Sequence, residues 1–186
     1  HHSVHMRAWL SKKWFFCPVE KPYLFPFMKL HIFNPEHDIS LALNQFRFTP
    51  SNNVVRMRKD LAYIPILWAG EGDYVLVDDV EAAYRSADRL RNNIKPGARF
   101  LGYNRLKSVI REQIRSGFFD IQAEPWGWDK AVVYQLKSMG WPEEHLPTDD
   151  QLDEIRNVSH RRMAKKFLDT FNEDGGIVVD SVETSS

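Results

Sequence analysis

Four short apolar runs, Leu30-His31-Ile32-Phe33, Tyr74-Val75-Leu76-Val77, residues 99–103 and residues 118–123, alternate along the chain with stretches whose apolar residues recur at helical spacing. That alternation constrains the fold more than any other feature. A strand that returns through a helix to run beside its predecessor makes a parallel pair, and repetition of the unit builds a doubly wound α/β sheet. Runs this short and this apolar suit strands buried on both faces. The sequence therefore predicts a Rossmann-like parallel sheet with flanking helices. The helices fall at a turn over 39–43, at 53–63, at 80–92, at about 106–116 and at 131–139. Val54, Val55, Met57, Leu61 and Ile64 give the second of these an apolar stripe, with Arg56, Arg58, Lys59 and Asp60 expected to face outward.

The end of the first run carries the densest chemistry. Leu30, Ile32 and Phe33 lead directly into Asn34-Pro35-Glu36-His37-Asp38. In an open parallel sheet the carboxyl ends of the strands border the binding crevice, so Asn34, Glu36, His37 and Asp38 are candidate substrate-binding residues. The competing reading is a solvated turn in which Asn34 or Asp38 caps the next helix. The loops near Asn104 and at Trp126-Gly127-Trp128 follow other candidate strands and are expected at the same edge. Trp126 and Trp128 can wall a pocket or fill the core.

Several functions are disfavoured. The first strand is not followed by Gly-x-Gly-x-x-Gly, and no Gly-x-x-x-x-Gly-Lys-Ser/Thr occurs, which argues against a dehydrogenase or a P-loop enzyme. Carboxylates at Glu36 and Asp38 repel a pyrophosphate and suit an amine or hydroxyl-bearing substrate. The single cysteine, Cys17, lies in an atypical leader, so disulfides, cysteine zinc sites and cysteine nucleophiles are not expected. His31 and His37 match no standard metal-ligand spacing. Ser159 and His160 are adjacent on a helix and diverge by about 100°, so they form no nucleophile–base pair. Lys plus Arg equal Asp plus Glu at 25 each, which provides no global field toward nucleic acid or an anionic membrane. Arg85, Arg89, Arg91, Arg99, Arg105, Arg111 and Arg115 keep a local nucleic-acid surface as a third reading, weakened by interspersed acids. No run approaches the about 18 apolar residues of a membrane span, and a cytoplasmic setting is expected.

The ends differ in texture from the middle. Residues 1–27 are rich in aromatics and prolines without a period; 1–6 read as a tag remnant, 6–27 as upstream sequence translated from a start assigned too early, and Met28 as the expected true start. The α/β domain is expected over 28–172. It ends in a long helix from Thr148, with Gln151 in the capping-box position, to about Phe171. Residues 173–186 read as a tail or the start of a further domain, because Ile177-Val178-Val179 begins a strand without a partner.

Taken together, Lys29 to Asp38, Phe48-Thr49-Pro50, Asp60-Leu61-Ala62, Trp68-Ala69-Gly70, Glu71-Gly72-Asp73, Pro125-Trp126-Gly127-Trp128, Leu146-Pro147-Thr148-Asp149 and Ser159-His160-Arg161-Arg162 resemble the amino-terminal segment of uncharacterised bacterial proteins of the ATP-grasp type. The resemblance covers Met28 to about Leu168. ATP-grasp enzymes activate a carboxylate as an acyl phosphate for attack by an amine or another nucleophile, and their first part is a Rossmann-like pre-ATP-grasp domain. What the resemblance implies is therefore the substrate-side domain of a carboxylate–amine ligase-like protein, not catalytically complete by itself. ATP and magnesium are expected only where a nucleotide-binding domain follows, and that domain is the expected partner. The candidate substrate-binding set, read from the residues themselves, is Asn34, Glu36, His37, Asp38, Thr49, Trp126, Trp128, His160 and Arg161. His160 and Arg161 contact an anionic group or a neighbouring domain in this reading, and form a solvated helix face in the other. The alternative function is a non-catalytic domain that binds a small molecule or a protein.

Overall fold

A computed structural model of the chain describes residues 28–90, 97–159, 163 and 165. Within them, strands and helices alternate as β1 (Met28–Ile32), α1 (His37–Leu43), α2 (Asn52–Leu61), β2 (Tyr74–Val77), α3 (Val80–Asp88), β3 (Arg99–Gly102), α4 (Tyr103–Ser116), β4 (Ile121–Pro125), α5 (Lys130–Ser138) and α6 (Asp149–Ser159). Short 3-10 turns at Ile64–Leu67 and Glu143–His145 complete the set. The four strands form one parallel sheet in the order β3-β2-β1-β4. This is the α/β, Rossmann-like architecture the alternation predicts.

The strand order fixes where a ligand can go. Chain progress from β1 through β2 to β3 moves outward on one side; the β3–β4 connection then crosses back to the far side of β1. That crossover brings the turn after β4 beside the turn after β1, where α1 packs against α5, and a crevice borders both turns at the carboxyl edge. Both strands are in register across it, from Met28 opposite Ile121 to Ile32 opposite Pro125.

Side-chain alternation splits the core in two. Leu30, Ile32, Leu76, Leu101, Ile121 and Ala123 point to one face, where Leu106 and Ile110 of α4, Val132, Val133 and Leu136 of α5, and Leu152 of α6 cover them. On the other face, Val75, Val77 and Phe100 meet Ala62, Ile66, Ala69 and, from α3, Ala83 and Ala87. That second layer covers β2 and β3. Over β1 and β4 the same face carries Lys29, His31, Gln122 and Glu124 instead, and this half is where the sheet is least apolar.

Side-chain capping accounts for the starts of α3, α5 and α6. The side chains of Asp79 and Asp129 accept from the backbone N–H of Ala82 and Val132 at the starts of α3 and α5. Thr148 and Gln151 form the expected reciprocal box at α6, at 3.3 and 2.9 Å.

Several expectations are corrected. The stripe of α2 does not enter the core: no residue of that helix is buried, and Met57 is exposed. Ile64 belongs to the 3-10 turn begun at Pro65's neighbour, where a proline at the second position suits the helix start but not a continuation of α2. No loop surrounds Asn104, because Gly102 passes directly into α4 and Asn104 lies exposed in its first turn. The fourth strand begins at Ile121 rather than Phe118, and the third helix is described to Asp88. The segment 1–27, most of the final helix beyond Ser159, and Ile177-Val178-Val179 lie outside the described residues. No helix of the described residues is long and apolar enough to cross a membrane.

Candidate functional site

At the crevice, the turns after β1 and β4 are tied into one unit by side-chain hydrogen bonds. The Trp126 N–H donates to the Ile32 carbonyl at 2.8 Å, extending the ladder one step past the strands. Asn34 then takes over from the backbone: its amide donates to the Gly127 carbonyl at 2.8 Å and accepts from the Gly127 N–H at 3.3 Å. This is the pairing geometry of an additional peptide group. Proline at position 35 disfavours the helical region for Asn34, so the chain does not pass straight from β1 into α1.

Asp129 anchors the other end. It is buried, with one carboxylate oxygen capping α5 through the Val132 N–H at 2.9 Å. Its second oxygen lies 3.3 Å from His37 Nδ1 and 3.4 Å from the Asn34 amide nitrogen. An ionised carboxylate only accepts, so the His37 proton sits on Nδ1 in this arrangement. The imidazole lies so close to Gly127 that a Cβ there would fall 2.2 Å from the ring. Glycine is the only residue that lets β4's turn approach His37.

Glu36 faces a different direction. Its carboxylate pairs with Arg58 Nη1 from α2, and both side chains are largely buried. Only Oε1 is engaged; Oε2 is buried without a hydrogen-bond partner. Leaving such an oxygen dry and unpaired is costly, on the order of 1–3 kcal/mol or more for a charged group. Glu36, Arg58, Asp129 and Gln135 provide the polar lining of a cavity of about 310 Å³, with Phe46 and Phe48 as apolar walls. Arg47 reaches the rim, where its Nη2 donates to the Tyr134 hydroxyl at 3.2 Å. Nearby, burial pushes the Tyr103 phenol above its ordinary value of 10.0 against the opposing pull of the Arg58 guanidinium. The site thus combines a half-neutralised carboxylate, a second buried carboxylate and cationic groups at its margin. It can accept hydrogen bonds from an ammonium, amide or hydroxyl.

On the opposite face of the sheet, His31 is buried beside Asp73, with Nε2 at 3.1 Å from Oδ2. Asp73 also accepts from the backbone N–H of Lys29 at 2.9 Å and of Gly70 at 2.8 Å. Burial raises the Asp73 pKa, but these hydrogen bonds and the imidazole outweigh it and hold the carboxyl below its ordinary 3.8.

The expected residues are accordingly divided. Asn34, Glu36 and His37 converge with Asp129 at the carboxyl edge, though Asn34 and His37 spend their hydrogen bonds on the protein itself. Asp38 and Thr49 are exposed. Trp128 is half-buried against the α4–α5 core, whereas Trp126 is exposed and lines a second cavity beside Trp68 rather than the one at Glu36. His160 and Arg161 lie outside the described residues. Sequence reasoning missed Asp129 and the inward turn of Arg58. The first had a signal, an Asp immediately before a helical pattern; the second had none, since nothing local distinguishes Arg58 from Arg56. Among the described residues no group of three or more His, Cys, Asp or Glu side chains is arranged to hold a metal ion. No family model, curated protein or solved structure matches this chain.

Proposed function

We propose that this chain is the substrate-side, pre-ATP-grasp domain of a carboxylate–amine ligase-like protein, and that it binds a small polar, amine-bearing substrate in the cavity beside Glu36. The observation that carries the reading is Glu36, which lines a cavity at the switch point of the sheet and whose Oε2 is buried without a hydrogen-bond partner. Arg58 offsets the charge of Glu36 through the other oxygen, so the pair tolerates burial while Oε2 keeps its hydrogen-bonding capacity unused, to be met by a ligand after a small rotation of the carboxylate toward the cavity.

The same carboxylate disfavours a phosphate at this edge. ATP and magnesium are therefore assigned to a separate nucleotide-binding domain, and the role of the present residues is to bind and orient. Ordering a nucleophile in a defined pose removes much of the entropic barrier to a bimolecular step.

Thermal-shift titration with a panel of amino acids and diamines tests the reading. A ligand at 100 times its dissociation constant stabilises the fold by about 2.7 kcal/mol, well within detection. A saturable shift by an amine, weakened at least about tenfold in Glu36→Gln through loss of a charge-assisted hydrogen bond, is expected. A saturable shift by Mg-ATP that a chelator abolishes, or amine binding indifferent to Glu36→Gln, overturns it.

A further inference from the structure

We propose that the second cavity, on the opposite face of the sheet from Glu36, is an aromatic cage for a small methylated ammonium compound, held by Trp68 and Trp126 with Glu124 as counter-ion. The cavity measures about 240 Å³ and lies where the second helical layer stops, over the carboxyl ends of β1 and β4. Pro65, Pro125 and Ile32 give it an apolar floor. His31 and Glu124, neighbours across the β1–β4 ladder, supply its polar groups.

The two indoles decide the shape. Their centroids are 6.2 Å apart and their planes meet at 53°, so they form a V rather than a slot. A flat ring sandwiched between them would need parallel walls about 7 Å apart, twice the ordinary carbon contact distance. A compact, roughly spherical head seated at the open mouth of the V, against one face of each indole and not between them, suits this shape better. Phe33 braces Trp126 edge-on, with centroids 5.7 Å apart and planes at 74°. Trp68 and Trp126 are nonetheless 49% and 62% exposed, which leaves faces of both indoles open to the cavity and its mouth.

The charges decide the sign. Glu124 and Asp73 bring two carboxylates to this region, and an anion would be repelled. Lys29 Nζ already lies 2.7 Å from Glu124 Oε1, so the site accommodates a cation beside that carboxylate. Lys29 is a weak competitor, because both members of the pair are well exposed and such pairs contribute little. His31 Nε2 is committed to Asp73, which leaves Nδ1 as the ring nitrogen free to meet a polar group on the ligand. An ammonium carrying methyl groups is weakly hydrated, gains on aromatic faces and still pairs with a carboxylate.

Isothermal titration calorimetry with choline, tetramethylammonium and 3,3-dimethylbutan-1-ol, the neutral carbon isostere of choline, tests the site on the full chain. Saturable binding of both cations is expected, with the isostere about tenfold weaker or more. Trp126→Ala should abolish binding, Trp126→Phe should retain it within severalfold, and Glu124→Gln should weaken it. Trp126 is exposed enough that the alanine variant is expected to keep the parent melting temperature, which controls for unfolding. Glu36→Gln should leave the affinity unchanged, because Glu36 lines the other cavity. No saturable binding of either cation, equal binding of the isostere, or retention of binding in Trp126→Ala refutes the proposal.

Discussion

Replacing Asp129 with alanine removes the buried hub at the crevice, and the structure sets the size of the effect. The helix cap lost from α5 is worth about 1 kcal/mol, with a range of roughly 0.5–2. The other carboxylate oxygen serves His37 and Asn34 at 3.3 and 3.4 Å, long contacts that belong at the low end of charge-assisted hydrogen bonds. Asn34 keeps Gly127 as a partner, and the His37 ring is close enough to the surface to recruit water, so neither is fully orphaned. Relief of the desolvation of a buried carboxylate offsets part of the loss. The net expectation is a loss of about 2–3 kcal/mol, a sizeable part of the 5–15 typical of a domain.

Urea titration reads this directly. The midpoint should fall with the slope unchanged, since the exposed surface on unfolding is the same. In a thermal scan the same loss is about 5–10 °C. Asp129→Asn should cost less, about 1–2 kcal/mol, because an amide oxygen still caps the helix while the amide nitrogen now faces two donors. A Asp129→Ala protein within about 0.5 kcal/mol of the parent at equal slope would mean that the hub carries no energy.

Two further outcomes follow from the same geometry. Gly127→Ala places a Cβ 2.2 Å from the His37 ring and should cost about 2–3 kcal/mol by urea titration; in a His37→Ala background the cost should drop by at least about 1 kcal/mol, and a purely additive double mutant contradicts the steric reading. Asp73 has a depressed folded pKa, so its contribution is fully present above the ordinary 3.8 and is lost as pH falls through the lower folded value; urea midpoints from about pH 5 to about pH 2 should decline less steeply in Asp73→Asn, and an identical decline rules out Asp73 as the acid-sensitive group.

The sheet was legible because its cause is local. Tyr74-Val75-Leu76-Val77 is apolar on both faces whatever surrounds it, and Thr148 with Gln151 satisfies a helix terminus through contacts three residues apart. Boundaries were less so: Tyr103 is as good a strand residue as Phe100, and only the packing of α4 assigns it to a helix. The apolar stripe on α2 shows the limit of periodicity. Val54 and Met57 have the spacing of a buried face, but that spacing does not say whether another element lies opposite.

The candidate site separates along the same line between local and non-local causes. Asn34, Glu36, His37 and Asp38 announce a polar turn at a strand end, yet their roles depend on residues about a hundred positions away. Asn34 pairs with Gly127 and His37 with Asp129, so their polar atoms are spent on joining the two turns. Asp38 projects into solvent from the first turn of α1. Glu36 alone retains unspent hydrogen-bonding capacity against a cavity, and it does so because Arg58 engages only one of its oxygens. A cluster of polar residues at the carboxyl edge is thus two things at once: a tie between the two turns, made by Asn34 and His37, and a buried carboxylate, Glu36, paired with Arg58 beside a cavity.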